Sequence, residues 1–265
     1  MKIGANENSS VKLDINTLNR HGIIAGSSGS GKTTTIKTLT KRLSDNNVST
    51  LLFDAKGDLK DLLQANAGQL YTFKGDYGLP LNTSIDTLGI DLLSNILELN
   101  TTQQGILATT FLIAKDLNIN LTKLEDLEEL FIYMINNNES LSIQYGRLSN
   151  VSISTIRRKI NTLKLNDLHY IFDNDNFHYN DIIDNKEINI IDSVELVKHP
   201  KLYASIVVMV LKQFYDNLQD SEQDTPKTII FIDEAHLLFK DTNKNMVQDI
   251  IQIVKLIRSK GIGIF

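Results

Sequence analysis

One stretch constrains this chain more than any other. Gly26-Ser27-Ser28-Gly29-Ser30-Gly31-Lys32-Thr33 satisfies the spacing G-x-x-x-x-G-K-[ST] in full. Chance supplies that string in roughly one chain of this length in a hundred, so its flanks decide the reading. It follows the apolar run Gly22-Ile-Ile-Ala25 and precedes a helical pattern from Thr33 to Leu43 with Ile36, Leu39 and Leu43 on one face. A strand, a glycine-rich turn and a helix N-terminus form a phosphate cradle: glycines admit backbone N–H groups close to phosphate oxygens, and the helix start adds partial positive charge. Gly26, Ser27, Ser28, Gly29, Ser30, Gly31, Lys32, Thr33 and Thr34 are therefore the candidate nucleotide-binding residues. Lys32 is expected to reach the terminal phosphates and the Thr33 hydroxyl to ligate Mg²⁺.

A second element turns nucleotide binding toward hydrolysis. Thr228-Ile-Ile-Phe-Ile-Asp233-Glu234 is an apolar strand ending in two acids. Asp233 at the strand tip can hold Mg²⁺ through its water shell, and Glu234 can polarise the attacking water as general base. Together the two elements predict binding of ATP and Mg²⁺, with Lys32 and Glu234 catalytic and Thr33 and Asp233 at the metal.

The rest of the chain fits an α/β class. Ser49–Asp54, Gln69–Phe73, Ile188–Asp192 and Gly261–Phe265 are further short apolar runs without alternation, the pattern of strands buried on both faces of a mainly parallel sheet. Helical spacing lies between several of them, most clearly from Asn243 to Lys260. From about Ile85 to Leu165 the pattern is helical throughout, with Leu88, Leu92, Ile96 and Leu99, then Leu124, Leu127, Leu130 and Met134 in register. This predicts a discontinuous core, residues 1–83 and 181–265, interrupted by a mostly helical insertion over 84–180. Of the three prolines, Pro80 is expected in the loop before the helices, Pro200 at the start of a helix and Pro226 just before a strand.

Composition excludes several classes. There is no cysteine, hence no disulfide, thiolate zinc site or cysteine nucleophile. Lys and Arg number 27 against 32 Asp and Glu, a net charge of −5, which excludes a broadly basic surface that coats nucleic acid. The first ten residues are polar, and the longest uncharged apolar run, Leu202–Leu211, is too short for a bilayer. A cytoplasmic protein with no membrane partner is expected.

Several charged residues carry two readings each. Asp54, at the end of its strand, is either a ligand-facing acid at the carboxyl edge of the sheet or a turn former. Asp58 reads as the N-cap of a helix starting at Leu59. Arg157-Arg158-Lys159 and Arg258-Ser259-Lys260 either reach a neighbouring subunit's phosphate or a nucleic-acid backbone, or are solvated helix-face and last-turn cations. His21 and His236 read as local structure. The string Asp233-Glu-Ala-His236 does not make a DEAH-box helicase, because no second helicase-like domain follows.

The chain resembles the HerA-like bacterial ATPases of the HerA/FtsK superfamily from about residue 15 onward. Asn19–Thr33, Asp54–Leu59, Leu97–Gln103, Tyr145–Ser149 and Leu202–Ala204 carry the likeness, and Phe231–Phe239 with Leu256–Gly263 carry it most closely. The resemblance implies a RecA-like P-loop core that assembles as a homo-oligomeric ring, commonly a hexamer, with ATP between subunits. It implies that Lys32, Thr33, Asp233 and Glu234 hold and hydrolyse the nucleotide, and it raises Arg258, with Lys260, as the residue reaching across an interface. DNA translocation and a partner nuclease are implied one step further out. The family pattern continues beyond the strand at Gly261–Phe265 to a polar phosphate sensor, so a C-terminally truncated member is expected. The alternative from another class is a nucleotide-binding module that does not hydrolyse and controls assembly with partners.

Overall fold

The computed structural model describes residues 1–5, 10–240, 242 and 244–265; the middle of the polar N-terminal stretch and Asn243, the expected first residue of the last long helix, lie outside the described residues. The chain divides into two compact units, Met1–Leu79 with His178–Phe265, and Pro80–Phe177.

The first unit opens with a short antiparallel ribbon, β1 (Lys2–Ala5) and β2 (Ser10–Lys12). After the glycine-rich loop come α1 (Lys32–Ser44), β3 (Ser49–Asp54), the single-turn α2 (Leu62–Ala65), β4 (Gly68–Thr72) and the two-residue β5 (Leu79–Pro80). The second unit is helical: α3 (Ile85–Ile96), α4 (Thr101–Asp116), α5 (Leu124–Asn136), α6 (Asn138–Tyr145) and α7 (Asn150–Leu165). The residues expected in register, Leu88, Leu92, Ile96, Leu99, Leu124, Leu127, Leu130 and Met134, are all buried, and Leu107, Phe131, Ile153 and Ile160, which the expectation did not name, join them in its core. The chain then returns to the first unit with α8 (Tyr179–Asn185), β6 (Ile188–Asp192), α9 (Pro200–Asn217), β7 (Thr228–Ile232), α10 (Lys244–Leu256) and β8 (Ile262–Ile264).

The six strands of the main sheet run in the order β5-β4-β6-β3-β7-β8, with β4, β6, β3, β7 and β8 parallel. Every residue of β3 and β7 is buried, which accounts for their unbroken apolar runs: helices cover both faces, so neither face needs polar residues. On one face α1 sets Ile36, Leu39 and Leu43 against Leu52, Ile190 and Ile229. α9 is buried along its whole middle from Leu202 to Leu211, so the longest apolar run of the sequence is a core helix. Pro200 stands at its first turn, where a missing N–H costs nothing.

Three expectations need correction. Residues 22–26 form no strand. Among the described residues a single backbone bond, Gly22 N–H to the Ile264 carbonyl at 2.9 Å, ties them to β8, and the Ile264 N–H donates to His21 Nδ1 at 3.0 Å. The imidazole therefore occupies a position that a ladder carbonyl would take, and Ile23 is 90% exposed, which an interior strand would not allow. Asp58 caps no helix. The turn from Ala55 to Asp61 is irregular, and α2 starts at Leu62 after Asp61. Pro80 lies in β5 at the end of the sheet order, where a strand residue without an N–H is tolerated.

Candidate nucleotide site

Local chemistry shapes the phosphate loop. Gly29 and Gly31 have φ of 76° and 90°, the left-handed region that glycine enters without penalty, and Gly31 is the N-cap of α1. At Gly26 a Cβ would fall 2.2 Å from Ser30 Oγ, so a larger residue would have to turn the Ser30 hydroxyl away from the loop. Ser27, Ser28, Gly29 and Ser30 are exposed, with Ser30 N–H donating to the Ser27 carbonyl at 3.2 Å. Lys32 Nζ folds onto the loop and donates to the carbonyls of Gly26 (2.8 Å) and Ser27 (3.0 Å). Thr34 is exposed on the first turn of α1. Thr33 Oγ1 donates to Asp58 Oδ2 at 3.3 Å, which brings into the site a carboxylate that the sequence places only in a turn.

The second acidic element arrives beside it because β3 and β7 are parallel neighbours in register, Phe53 opposite Ile232. Both strands release their chains at one edge of the sheet. Asp54 is fully buried there, and its carboxylate accepts the N–H groups of Lys56 (3.3 Å), Gly57 (2.8 Å) and Leu59 (3.0 Å). Burial pushes its pKa up while those N–H groups pull the other way. Asp54 thus builds the turn, the second of its two readings. Asp233 follows β7; its N–H donates to the Phe53 carbonyl at 3.3 Å, and its own carbonyl accepts the Tyr203 hydroxyl at 2.9 Å. Burial, with the Glu234 charge adding to it, raises the Asp233 pKa against the pull of Lys56. Glu234 takes a left-handed backbone, φ 52°, with its N–H on Asp233 Oδ1 at 3.0 Å. Its carboxylate is ion-paired through Oε1 to Lys56 Nζ and lies 3.2 Å through Oε2 from His236 Nδ1. The bond from Lys56 is the main reason its pKa falls below the ordinary glutamate value.

Lys32, Asp233 and Glu234 line one cavity of about 570 Å³ with Gly26 and Ala25, walled by apolar residues that include Ile36, Phe231 and Val254. Near the loop the Thr33 hydroxyl meets the Asp58 carboxylate, and Asp233 and Glu234 line the cavity; these are hard oxygen donors of the kind Mg²⁺ takes, although among the described residues no group of three or more His, Asp or Glu side chains is gathered to hold a metal ion by itself. The tight turn at Gly26 and the ammonium at the loop carbonyls suit phosphate.

The basic candidates separate. Lys260 Nζ pairs with Asp220 at 2.9 Å and sits 5.6 Å from the centre of the Tyr215 ring, so it is engaged within its own chain. Arg258 is exposed in the turn after α10, and its charge is felt by His21, whose pKa is lowered first by burial. In the helical unit Arg158 donates to Thr155 Oγ1 (3.1 Å) and Lys159 to the Glu98 carbonyl (2.7 Å), both local roles. Among the described residues no helix is long and apolar enough to cross a membrane. Sequence reasoning missed Lys56, Asp58 as a neighbour of Thr33, and Tyr203. The run Asp54-Ala-Lys-Gly-Asp58 at a strand end was the available signal for the first two; for Tyr203 it was the family likeness carried by Leu202–Ala204.

Comparison with known proteins bears on the family and the fold. The family model described as "Helicase HerA-like C-terminal" matches residues 1–73 and 60–265. Among solved structures, VirB4 of Thermoanaerobacter pseudethanolicus is similar over 100% of this chain and 75% of its own, at 14% identity and a TM-score of 0.62. The bacterial conjugative coupling protein TrwB, in a trigonal form with sulphate, is similar over 94% of this chain and 62% of its own, at 14% identity and a TM-score of 0.62. A plasmid coupling protein TrwB in complex with the non-hydrolysable GTP analogue GDPNP gives 15% identity, a TM-score of 0.58, and 94% and 64% coverage. The fold is therefore the RecA-like P-loop α/β architecture. A comparison with curated protein sequences finds no match.

Proposed function

As the chain belongs to the helicase HerA-like C-terminal family, we propose that it binds ATP with Mg²⁺ and hydrolyses it as the motor subunit of a homo-oligomeric ring, a hexamer in the first instance. The observation that carries this reading is the meeting of Lys32, Asp233 and Glu234 on one cavity at the mouth of the phosphate loop. Lys32, with the loop N–H groups from Gly26 to Thr34, would neutralise and orient the phosphate chain. Thr33 and Asp233, helped by Asp58, would hold Mg²⁺, which when bound offsets the charge on the phosphates. Glu234 would accept the proton of the attacking water. In this reading residues 1–83 and 181–265 are the ATPase core and 84–180 its helical insertion. Arg258 is the residue proposed to reach a neighbour's phosphate, since Lys260 is bound to Asp220. DNA is the proposed track and a nuclease a proposed partner; with net charge −5, binding of DNA should be weak and salt-sensitive outside a ring's pore.

One observation favours the second reading, a nucleotide-binding module that does not hydrolyse: both carboxylate oxygens of Glu234 already face partners, Lys56 and His236. Equilibrium binding of ATP with and without Mg²⁺, run beside single-turnover hydrolysis, separates the two. The leading reading predicts that Glu234→Gln keeps its affinity for ATP within about twofold and loses on the order of 100-fold in hydrolysis. A wild-type chain that binds ATP and leaves it intact would establish the module instead.

A further inference from the structure

We propose that Lys56 is the positioning residue for Glu234, holding the base carboxylate in one orientation at the cavity it shares with Lys32. The role rests on the hydrolysis reading above. Lys56 stands on a fixed platform: its own N–H and those of Gly57 and Leu59 are gathered on the buried Asp54 carboxylate, and Gly57 turns the chain at φ 77°. That platform is locked to the base because β3 and β7 are adjacent and in register, so the turn after Asp54 and the pair Asp233-Glu234 leave the sheet side by side.

Glu234 needs such a partner. Its backbone is held by Asp233 Oδ1, but its side chain is 30% exposed and has three rotatable bonds of its own. A carboxylate left free there would average over rotamers, and misplacement by an ångström removes most of the advantage of a positioned base. His236 is the weaker tether: its side chain is 69% exposed against 48% for Lys56, and its imidazole carries a charge only when protonated. The ion pair with Lys56 selects one geometry and does not use up the base. A carboxylate offers about four acceptor positions, so two partners leave room for a water.

Lys56 is distinct from Lys32 in what it touches. Lys32 bonds the carbonyls of the phosphate loop, whereas the ammonium of Lys56 bonds Glu234. Loss of Lys56 should therefore slow the chemical step and leave nucleotide affinity alone.

The test is a double-mutant cycle in the full chain, with ATP and Mg²⁺, read as single-turnover rate and ATP Kd. Lys56→Met in the wild-type background is expected to slow hydrolysis about tenfold, the loss of one charge-assisted hydrogen bond, with Kd unchanged. Lys56→Arg, which keeps the cation, should recover most of that loss. In the Glu234→Gln background Lys56→Met should add no further loss, because its route of action is already gone. An equal fractional loss in both backgrounds, or a loss of Kd in place of rate, would overturn the role while leaving the hydrolysis reading intact. A wild-type chain that turns over no ATP would overturn both.

Discussion

Asp192 shows how a charged side chain taken out of water depends on its partners in this molecule. It ends β6 with its side chain only 8% exposed, accepting Lys60 Nζ at 2.7 Å and the Tyr77 hydroxyl. Burial works against its charge, yet the bonds from Lys60 and Tyr77 outweigh it and hold the pKa below the ordinary aspartate value. A carboxyl whose folded pKa is depressed contributes stability above its unfolded pKa and loses that contribution as pH falls through the folded value. Lys60→Met leaves the carboxylate buried with a neutral partner and should cost on the order of 2 kcal/mol at pH 7. As pH falls into the range where the carboxyl protonates, first in the variant and then, through its depressed folded pKa, in the wild type, the difference should shrink. Urea unfolding of the two proteins at pH 7 and pH 3 measures this; a difference that does not change with pH would remove the ion pair from the explanation. At this scale the sequence was legible where residue type alone sets the chemistry, as with Gly26 to Thr33, Asp233 and Glu234. It was silent where the chemistry depends on a partner far along the chain. Nothing near Lys56 names Glu234 as its mate; only the parallel pairing of β3 with β7 does.

Elements were readable where periodicity was strong. Five of the unbroken apolar runs, at Ser49, Gln69, Ile188, Thr228 and Gly261, became parallel strands within a residue or two, since burial on both faces leaves that signature and little else does. The run at Gly22 has the same composition but no ladder, because His21 supplies its ring nitrogen to the Ile264 N–H and only one backbone bond follows. Composition cannot reveal that a side chain will displace a strand bond. The helix expected through Leu88, Leu92 and Ile96 also holds a break: Gly89 lies at φ 76°, ψ 175°, between two helical stretches of α3. That conformation is open essentially to glycine alone. A Cβ there would meet nothing within 4 Å, so Gly89→Ala should cost about 1–3 kcal/mol through backbone strain only. Thermal unfolding of the variant checks it. An unchanged midpoint would mean that α3 runs straight with little penalty, and that the glycine is not required at the break.

For the whole molecule, the central claim is that the loop, the two acids and the sheet that joins them make an ATPase which works with its neighbours. The chain spans three quarters of the VirB4 chain and under two thirds of the TrwB chains to which it is similar. A motor subunit that needs an arginine from an adjacent copy has a specific activity that depends on assembly, because mass action sets the fraction of sites that are completed. Exposed Arg258 is the residue proposed for that completion. The most direct measurement is ATP turnover per subunit as a function of protein concentration, for the wild type, Lys32→Ala and Arg258→Ala, with and without DNA. Turnover is expected to rise cooperatively with concentration, to be abolished in Lys32→Ala, and to fall by on the order of 100-fold or more in Arg258→Ala. Turnover per subunit that stays constant across concentration and is indifferent to Arg258 would contradict the central claim, leaving an ATPase whose site is complete within one chain.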